Sequence, residues 1–350
     1  MPHATNLYKN IKIREIRDEA SGFKSFIFAD GHGIEYKSGQ FLTLAHHLNN
    51  EEMRRSYSIT STPELNEPLS IGIKRMPNGF FSRLMIDYAR PGDEFLTTGA
   101  GGFFVLPENV KDYKQIFFLA AGSGITPVFS LIKSILHSYK GISIVLIYSN
   151  SSIESTAFRK ELTKLRDENP SRLGIEWLFS NSPDLSKARL YRELLMQLLS
   201  RFSVADQANT LYYMCGPLSY MRMCTYVLQE AGVDHANIKK ENFITDDFDP
   251  PRALPPDTAS HVAEIHFAGK SYSVEVNFPD SILTAAKKAG IELPYSCETG
   301  RCGNCAARCT KGTVWLSYNE VLTDKDLANG LVLTCVGHPV GGDVDIVVSP

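Results

Sequence analysis

Four cysteines near the end of the chain most constrain its fold. The segment Cys297-Glu298-Thr299-Gly300-Arg301-Cys302-Gly303-Asn304-Cys305 has the spacing C-x4-C-x2-C, and Cys335 follows after a long gap. Three thiols on one short loop can converge only if that loop curls tightly. Gly300 and Gly303 permit the curl, because glycine reaches positive-φ conformations that other residues avoid. We therefore predict a folded-back loop that brings its thiols toward Cys335.

This spacing is the ligand pattern of plant-type [2Fe–2S] sites, and the loop resembles the cluster loop of plant-type ferredoxins. A zinc site and a group of ordinary core cysteines are the alternatives. Zinc loops usually pair their ligands as CxxC with a second pair far away, so the pattern favours iron and sulfur. We expect backbone N–H groups of the loop to point at the sulfurs, where they help to set the potential. The predicted ligands are Cys297, Cys302, Cys305 and Cys335.

Composition excludes several classes of protein. A chain of 350 residues is long enough for two to three domains, and its net charge of −3 disfavours nucleic-acid binding. The stretch after Met1 lacks the apolar core of a secretory signal, and the apolar run Ile142 to Tyr148 is too short to cross a membrane. The other cysteines do not form a disulfide framework, so we expect a reducing cytoplasm and no membrane association. They are Cys215, Cys224 and Cys309.

Residues 1–106 alternate in polarity as β-strands do, for example at 11–16 and 69–74. Turn signals such as Asp30-Gly31 and Asn78-Gly79 separate the strands. This pattern predicts an antiparallel β-barrel.

Residues 107–245 change to an alternation of strand and helix, which predicts a parallel, doubly wound α/β domain. The predicted strands are 116–120, 142–148, 175–179, 210–214 and 238–243, and the predicted helices are 126–139, 155–166, 188–199 and 218–229.

A Pro-rich linker is predicted at 246–261, because its prolines and aspartates cannot build a core element. Beyond it, 262–350 carries the cysteine loop. The patterns there predict a hairpin at 263–276, a short helix at 282–289 and a closing strand at 344–348. We expect a small α+β domain of the β-grasp type, of the length that a ferredoxin needs.

A flavin motif lies in the barrel segment. Arg55-Ser56-Tyr57-Ser58 resembles the R-x-Y-S motif of the ferredoxin–NADP reductase family. An arginine fork can clamp a phosphate, and a tyrosine ring offers an aromatic face for the flavin. The resemblance implies that the Ser58 hydroxyl bonds the flavin near N5, where hydride arrives. Taken alone, a packed Tyr57 and a solvated Arg55 are the commoner meanings of these residues.

Two further matches follow in the order of that family. Gly79-Phe80-Phe81-Ser82 resembles its G-x-x-S turn, and a helix that starts there supplies free N–H groups for the flavin pyrophosphate. The glycine-rich stretch 99–104 stands where the family closes its flavin domain, with Ala100 in place of the usual proline. We assign this stretch no direct flavin contact.

The nucleotide segment carries two motifs of the same family. Gly122, Gly124, Thr126 and Pro127 lie in a loop that resembles G-x-G-x-x-P, between the first predicted strand and helix. Small residues there let the backbone approach a pyrophosphate at a helix N-terminus.

Cys215-Gly216-Pro217 resembles the family's C-G-P motif, whose cysteine lies beside the nicotinamide. The alternative is a small buried thiol. Even on the functional interpretation we expect Cys215 to shape the nicotinamide pocket and not to act as a nucleophile. Coenzyme choice stays open between NADH and NADPH, because the residues after the second strand, 149–152, are hydroxyl and amide side chains.

Taken together, the chain resembles the reductase components of multicomponent oxygenases over essentially its whole length. The resemblance implies that NAD(P)H reduces FAD, preferred here to FMN, with Ser58 and Cys215 setting the geometry of hydride transfer. A [2Fe–2S] cluster then passes electrons singly to a partner protein, expected to be an oxygenase or hydroxylase component. Reductases of hybrid-cluster proteins share the layout. A stand-alone diaphorase or flavin reductase with a structural metal stays open as a hypothesis, and so does a redox-responsive binding protein.

Overall fold

The computed structural model describes residues 7–48, 51–243 and 253–348. Its first sheet is antiparallel, with the strand order β4-β3-β6-β1-β2-β5. Ile59, directly after β4, pairs with Ile71 of β5, so the two ends of the sheet meet and the predicted barrel is confirmed. The strands are β1 Lys9–Ala20, β2 Phe23–Phe28, β3 Phe41–Leu48, β4 Glu51–Ser58, β5 Ser70–Lys74 and β6 Glu94–Gly101.

A short helical segment covers one end of the barrel. Helix α1 spans Phe80–Arg83 and continues into a π-helical turn over Leu84–Tyr88. Phe81 and Met85 of this segment are buried in the barrel core. The sequence predicted the helical stretch, and its apolar residues explain why it packs onto the open end of the sheet.

The second sheet has five parallel strands in the order β11-β10-β7-β8-β9, as predicted for a doubly wound domain. All carboxyl ends therefore share one edge, which is where such sheets bind ligands. The strands are β7 Gln115–Ala121, β8 Ser143–Asn150, β9 Leu173–Phe179, β10 Thr210–Cys215 and β11 Ile238–Glu241, and the helices are α2 Ile125–Ser138, α3 Arg159–Glu168, α4 Arg192–Phe202 and α5 Leu218–Glu230.

Two of these helices begin later than predicted. Helix α3 was expected from Ser155 but begins at Arg159, because Phe158 adopts a left-handed backbone conformation with φ of 57°. The Ser155 hydroxyl accepts a hydrogen bond from the Ser152 N–H, which holds this stretch in a turn. Helix α4 begins at Arg192 and not at Ala188.

The third sheet has the order β13-β12-β18-β14-β16, and a two-stranded sheet joins β15 to β17. The predicted hairpin and closing strand are confirmed. Leu7 near the start of the chain packs into the apolar core of this sheet. The elements are β12 His261–Phe267, β13 Lys270–Val276, α6 Ile282–Lys288, β14 Ala306–Lys311, β15 Val314–Leu316, α7 Asp324–Ala328, β16 Leu331–Leu333, β17 Gly337–Pro339 and β18 Val344–Val348.

The first part of the predicted linker, 246–252, lies outside the described residues. From 253 onward the chain runs without regular structure to β12, and the Ala253 N–H donates to the Ser317 carbonyl at 3.3 Å. Among the helices of the described ranges, none has the length and apolarity that a membrane-spanning segment needs.

The junction between the barrel and the parallel sheet depends on Gly39. Its φ is +93°, and a Cβ there would lie 2.0 Å from the Phe104 carbonyl oxygen. We expect Gly39→Ala to lower the free energy of unfolding by about 2 to 4 kcal/mol, through backbone strain and overpacking. Denaturant unfolding measures this change.

Gly141→Ala is the matched control, because Gly141 has open space around its Cβ position and no positive φ. We expect this variant to change stability by less than about 0.5 kcal/mol. Equal effects of the two substitutions would contradict the assigned role of Gly39.

Candidate functional site

One cavity of about 1960 Å³ lies where the three sheets approach one another. Its wall includes Tyr57 of the barrel, Thr126 and Glu241 of the parallel sheet region, and Cys297 of the cysteine loop. A single small-molecule site usually occupies roughly 300 to 1,000 Å³. The cavity is therefore large enough for more than one ligand, and all three parts of the chain border it.

Strand β4 forms the barrel wall of this cavity. Tyr57 packs against Phe81 with 6.0 Å between ring centroids, and burial raises the pKa of its phenol so that the ring stays neutral. The exposed Arg55 donates to the Arg54 carbonyl at 2.7 Å. Ser58 is buried, and its hydroxyl has no hydrogen-bond partner within the described part of the chain. A buried hydroxyl without a partner at a cavity wall fits a bound flavin, which offers acceptors.

The turn before α1 also reaches the cavity. The Ser82 hydroxyl donates to the Gly79 carbonyl and accepts from the Met76 N–H, both at 3.1 Å. Gly79, Phe81 and Ser82 border the cavity. Phe80 does not: it is half exposed and lies beside His46, with 6.1 Å between ring centroids.

The loop between β7 and α2 brings two backbones into close contact. A Cβ at Gly124 would lie 2.0 Å from the Cys215 carbonyl oxygen, so only glycine permits the approach. The Thr126 hydroxyl donates to the Ser123 carbonyl at 2.9 Å and closes the turn. Of the residues predicted to bind the nucleotide, Thr126 borders the cavity. The others do not border it, namely Gly122, Gly124, Pro127, Cys215, Gly216 and Pro217.

Cys215 ends β10, and burial raises the pKa of its thiol well above the ordinary value. A neutral, fully buried thiol is a poor nucleophile. Its register partner on β11 is Glu241. Burial raises the pKa of the Glu241 carboxyl to about 8, and its Oε2 has no hydrogen-bond partner among the described residues.

The sequence analysis missed Glu241, together with Phe243 and Lys74, which also border the cavity. A signal for the first two was present. Glu241 ends the last strand of the parallel sheet and Phe243 lies just beyond it, at the carboxyl edge where ligands bind. No motif singled them out, and their approach to the barrel depends on tertiary packing.

The cysteine loop curls as predicted. Gly300 and Gly303 adopt φ of +74° and +77°. The Thr299 N–H points at the Cys297 sulfur at 3.4 Å, and the Asn304 N–H points at the Cys302 sulfur at 3.5 Å. Such N–H···S contacts favour negative charge on the sulfurs and are one means of tuning a cluster potential.

The four thiols stand as two pairs. The Cys305 and Cys335 sulfurs are 3.1 Å apart, and the Cys302 thiol hydrogen-bonds Cys297. That bond, with the N–H groups of Thr299 and Arg301, lowers the pKa of Cys297 to about 5. No three His, Cys, Asp or Glu side chains in the described ranges are arranged around a single metal ion. Two adjacent pairs of thiols fit a two-iron cluster better than one zinc ion.

The cysteine loop also contacts the glycine-rich stretch that ends the barrel. A Cβ at Gly101 would lie 2.4 Å from the Asn304 side-chain oxygen, and one at Gly303 would lie 2.7 Å from the Phe103 ring. The glycines on both sides therefore let the two loops touch. The sequence analysis assigned the stretch at 99–104 no flavin contact, and here it forms a contact with the cysteine loop.

Three protein-family models match this chain. An oxidoreductase FAD-binding domain matches residues 11–105, an oxidoreductase NAD-binding domain matches 118–225, and a 2Fe-2S iron-sulfur cluster binding domain matches 265–340. The chain thus has binding domains for all three groups that its motifs indicated.

The chain is similar over almost its whole length to named proteins. It is 29% identical to one component of the 1,2-phenylacetyl-CoA epoxidase of Escherichia coli, over 96% of both chains. It is 30% identical to the ferredoxin reductase component of 3-ketosteroid-9-alpha-monooxygenase of Mycolicibacterium smegmatis, also over 96% of both. Its fold matches the solved structure of phthalate dioxygenase reductase with a TM-score of 0.61, at 23% identity over 98% of both chains.

The buried carboxyl of Glu241 makes stability depend on pH. Its pKa is about 8 in the folded protein against an ordinary value of 4.5, so the folded state holds this proton more tightly and loses stability as pH rises from 4.5 to 8. Glu241→Gln removes this loss. Relative to wild type, we expect the free energy of unfolding of the variant to rise by about 3 to 5 kcal/mol as pH increases from 4.5 to 8. Above pH 8 this difference should stay constant.

Denaturant unfolding at a series of pH values measures this gain. Glu94→Gln, which alters an exposed carboxyl on β6, serves as the control and should run parallel to wild type. A Glu241→Gln curve that also runs parallel to wild type would show that Glu241 does not hold a proton in the folded protein.

Proposed function

The chain belongs to the family of oxygenase reductase components that join FAD-binding, NAD-binding and [2Fe–2S]-binding domains, and on that premise we propose that it supplies single electrons to an oxygenase or hydroxylase component. It is an NAD(P)H oxidoreductase. The acceptor class is supported by relatives whose names place them in epoxidase and monooxygenase systems.

The observation that carries the proposal is the shared cavity. Bound FAD takes two electrons as hydride and releases them singly, and the cluster takes one at a time. This conversion of one hydride into two single-electron transfers requires the nicotinamide, the flavin and the cluster to lie close to one another. The cavity is bordered by the barrel, by the carboxyl edge of the parallel sheet and by the cysteine loop.

For the flavin, the proposal assigns residues of the barrel. The exposed Arg55 guanidinium holds a phosphate, Tyr57 offers its neutral ring as a face, and the Ser58 hydroxyl bonds the isoalloxazine edge. The partnerless Ser58 hydroxyl supports this assignment. The full set of proposed flavin contacts is Arg55, Ser56, Tyr57, Ser58, Gly79, Phe80, Phe81 and Ser82, with Phe80 the least supported because it does not border the cavity.

For the nicotinamide coenzyme, the proposal assigns the two loops at the carboxyl edge of the parallel sheet. The close approach of Gly124 to Cys215 supports it, because it brings the loop before α2 against the end of β10 at that edge. Cys215 shapes the pocket for the nicotinamide. The full set is Gly122, Gly124, Thr126, Pro127, Cys215, Gly216 and Pro217.

For the cluster, the proposed ligands are Cys297, Cys302, Cys305 and Cys335. The pairing of the thiols supports the assignment of one iron to Cys297 with Cys302 and the other to Cys305 with Cys335.

Thiols that must stay reduced to receive iron also favour the cytoplasm as the compartment. The proposed domains are a FAD-binding barrel at 1–106, an NAD(P)-binding domain at 107–245, a linker at 246–261 and a ferredoxin domain at 262–350.

Visible and EPR spectra of the purified protein test the proposal. As isolated, we expect flavin bands with a broad red-brown shoulder. Addition of NADPH or NADH under anaerobic conditions should bleach the flavin bands and the shoulder. It should also produce the rhombic EPR signal of a reduced [2Fe–2S] cluster. The coenzyme that acts at low concentration identifies the donor. A flavin spectrum with bound zinc and no EPR signal would refute the proposed electron path.

Replacing one proposed ligand separates the electron path from simple flavin reduction. In Cys335→Ser we expect electron transfer to cytochrome c or to the partner to fall by at least about 100-fold, since even partners of metal ligands contribute roughly 10- to 100-fold. Ferricyanide reduction at the flavin should persist.

Cys309→Ser is the matched control, because Cys309 is a free cysteine of the same domain outside the proposed ligand set. It should leave both activities unchanged. If Cys335→Ser retains cytochrome c reduction, the chain is a diaphorase whose C-terminal metal is structural.

A further inference from the structure

Arg54 is a buried arginine at the contact between the barrel and the cluster-binding part of the chain. Its side chain is 3% exposed. It precedes Arg55 of the flavin motif, but the sequence pattern gave it no role. A guanidinium cannot lose its charge in a protein, so its burial requires partners that compensate for lost hydration.

The partners of Arg54 come from both sides of the contact. Glu52 of the same strand forms an ion pair with its Nε. Its Nη1 donates to the carbonyls of Leu293 and Tyr295, both at 3.3 Å, and its Nη2 donates to the Tyr8 hydroxyl at 2.8 Å. The planar fork of an arginine can make these bonds at one time, whereas a lysine ammonium cannot reproduce their geometry.

The ring of Tyr295 lies close to two cations. The Arg54 guanidinium carbon is 3.7 Å from the ring centroid, and the Lys287 ammonium nitrogen is 3.8 Å from it. Lys287 in turn pairs with Glu298 of the cysteine loop at 2.7 Å. Cation–π contacts that are shielded from water are stronger than exposed ones, and the Arg54 side chain is buried, so its contact holds the Tyr295 ring firmly.

These contacts bear directly on the cluster. Tyr295 and Ser296 immediately precede Cys297, the first proposed ligand. The Ser296 hydroxyl hydrogen-bonds the Ser56 hydroxyl at 2.8 Å. Arg54 and Ser56 contact this segment, and Arg55, Tyr57 and Ser58 of the same strand border the cavity. One strand therefore contacts the flavin site and the segment that leads into the cluster.

We propose that Arg54 is a positioning residue that sets the rate of electron transfer from the flavin to the cluster. Its hydrogen bonds and its contact with Tyr295 fix the segment 293–296 against β4, and with it the position of Cys297 in the cavity wall. Hydride transfer from the nicotinamide does not depend on this contact. The proposal rests on the proposed function, because it requires electrons to pass from flavin to cluster.

Anaerobic stopped-flow reduction of the holoenzyme by NAD(P)H tests the proposal, because flavin bleaching and cluster bleaching are separate phases. In Arg54→Gln and Arg54→Lys we expect the cluster phase to slow by about 10- to 100-fold, the cost of a small misplacement of reacting groups. The flavin phase should stay within about twofold of wild type. Tyr295→Leu should likewise slow the cluster phase and leave the flavin phase unchanged. Tyr295→Phe, which keeps the ring, should behave as wild type.

Arg14→Gln is the matched control, since Arg14 is an exposed arginine of the barrel that pairs with Asp30. Flavin content and the EPR signal of the dithionite-reduced cluster verify that each variant is assembled. Unchanged cluster reduction in assembled Arg54 and Tyr295→Leu variants would overturn the positioning role. Equal slowing of both phases would also overturn it, because general damage would then be the cause. Failure of wild type to reduce its cluster with either coenzyme would instead refute the proposed function.

Discussion

The cysteine loop touches the loop that ends β6, and glycines on both sides make this contact possible. A Cβ at Gly101 would collide with Asn304, and one at Gly303 would collide with Phe103. On each side a glycine backbone meets a side chain of the other loop, namely the Asn304 amide oxygen at Gly101 and the partly buried Phe103 ring at Gly303, so the two loops pack at close range. A fixed separation is what electron transfer between two bound groups requires, as in other preorganised sites. The contact also lies at the cavity, because Phe103 and Cys302 both border it.

Charge fixes the cysteine loop from two directions. Arg54 holds the segment before Cys297 from the barrel side. On the side of the parallel sheet, Arg301 within the loop pairs with Glu320 at 3.0 Å, and Glu320 also accepts from Asn242, just beyond β11, at 3.2 Å. Buried ion pairs lose hydration and give little net stability, so their value here lies in the geometry that they specify. The two arginines anchor one loop to two different sheets.

Local features of this chain could be predicted from its sequence, and contacts between its parts could not. The cysteine spacing, the positive φ of Gly300 and Gly303, and the alternation of strands and helices each depend on neighbouring residues. No motif marks Glu241 or Arg54, although Glu241 stands at the carboxyl end of a strand. Their environments arise only when the end of β11 approaches the cavity and when β4 meets the segment 293–296. The late start of α3 at Arg159 has a local cause, the turn at Ser152 and Ser155, which competes with helix at hydroxyl-rich positions.

In the proposed function, coenzyme oxidation and coenzyme choice belong to different parts of the parallel sheet. Oxidation is assigned to the edge where Cys215 and Glu241 end adjacent strands and where Glu241 borders the cavity. The 2′ position of a dinucleotide is recognised at the end of the second strand of such a sheet, which here is β8. Beyond β8, the hydroxyls of Ser151 and Ser155 bond each other at 2.9 Å. Changes in this hydroxyl turn can therefore alter which coenzyme binds without moving β4, the cysteine loop or the path between them.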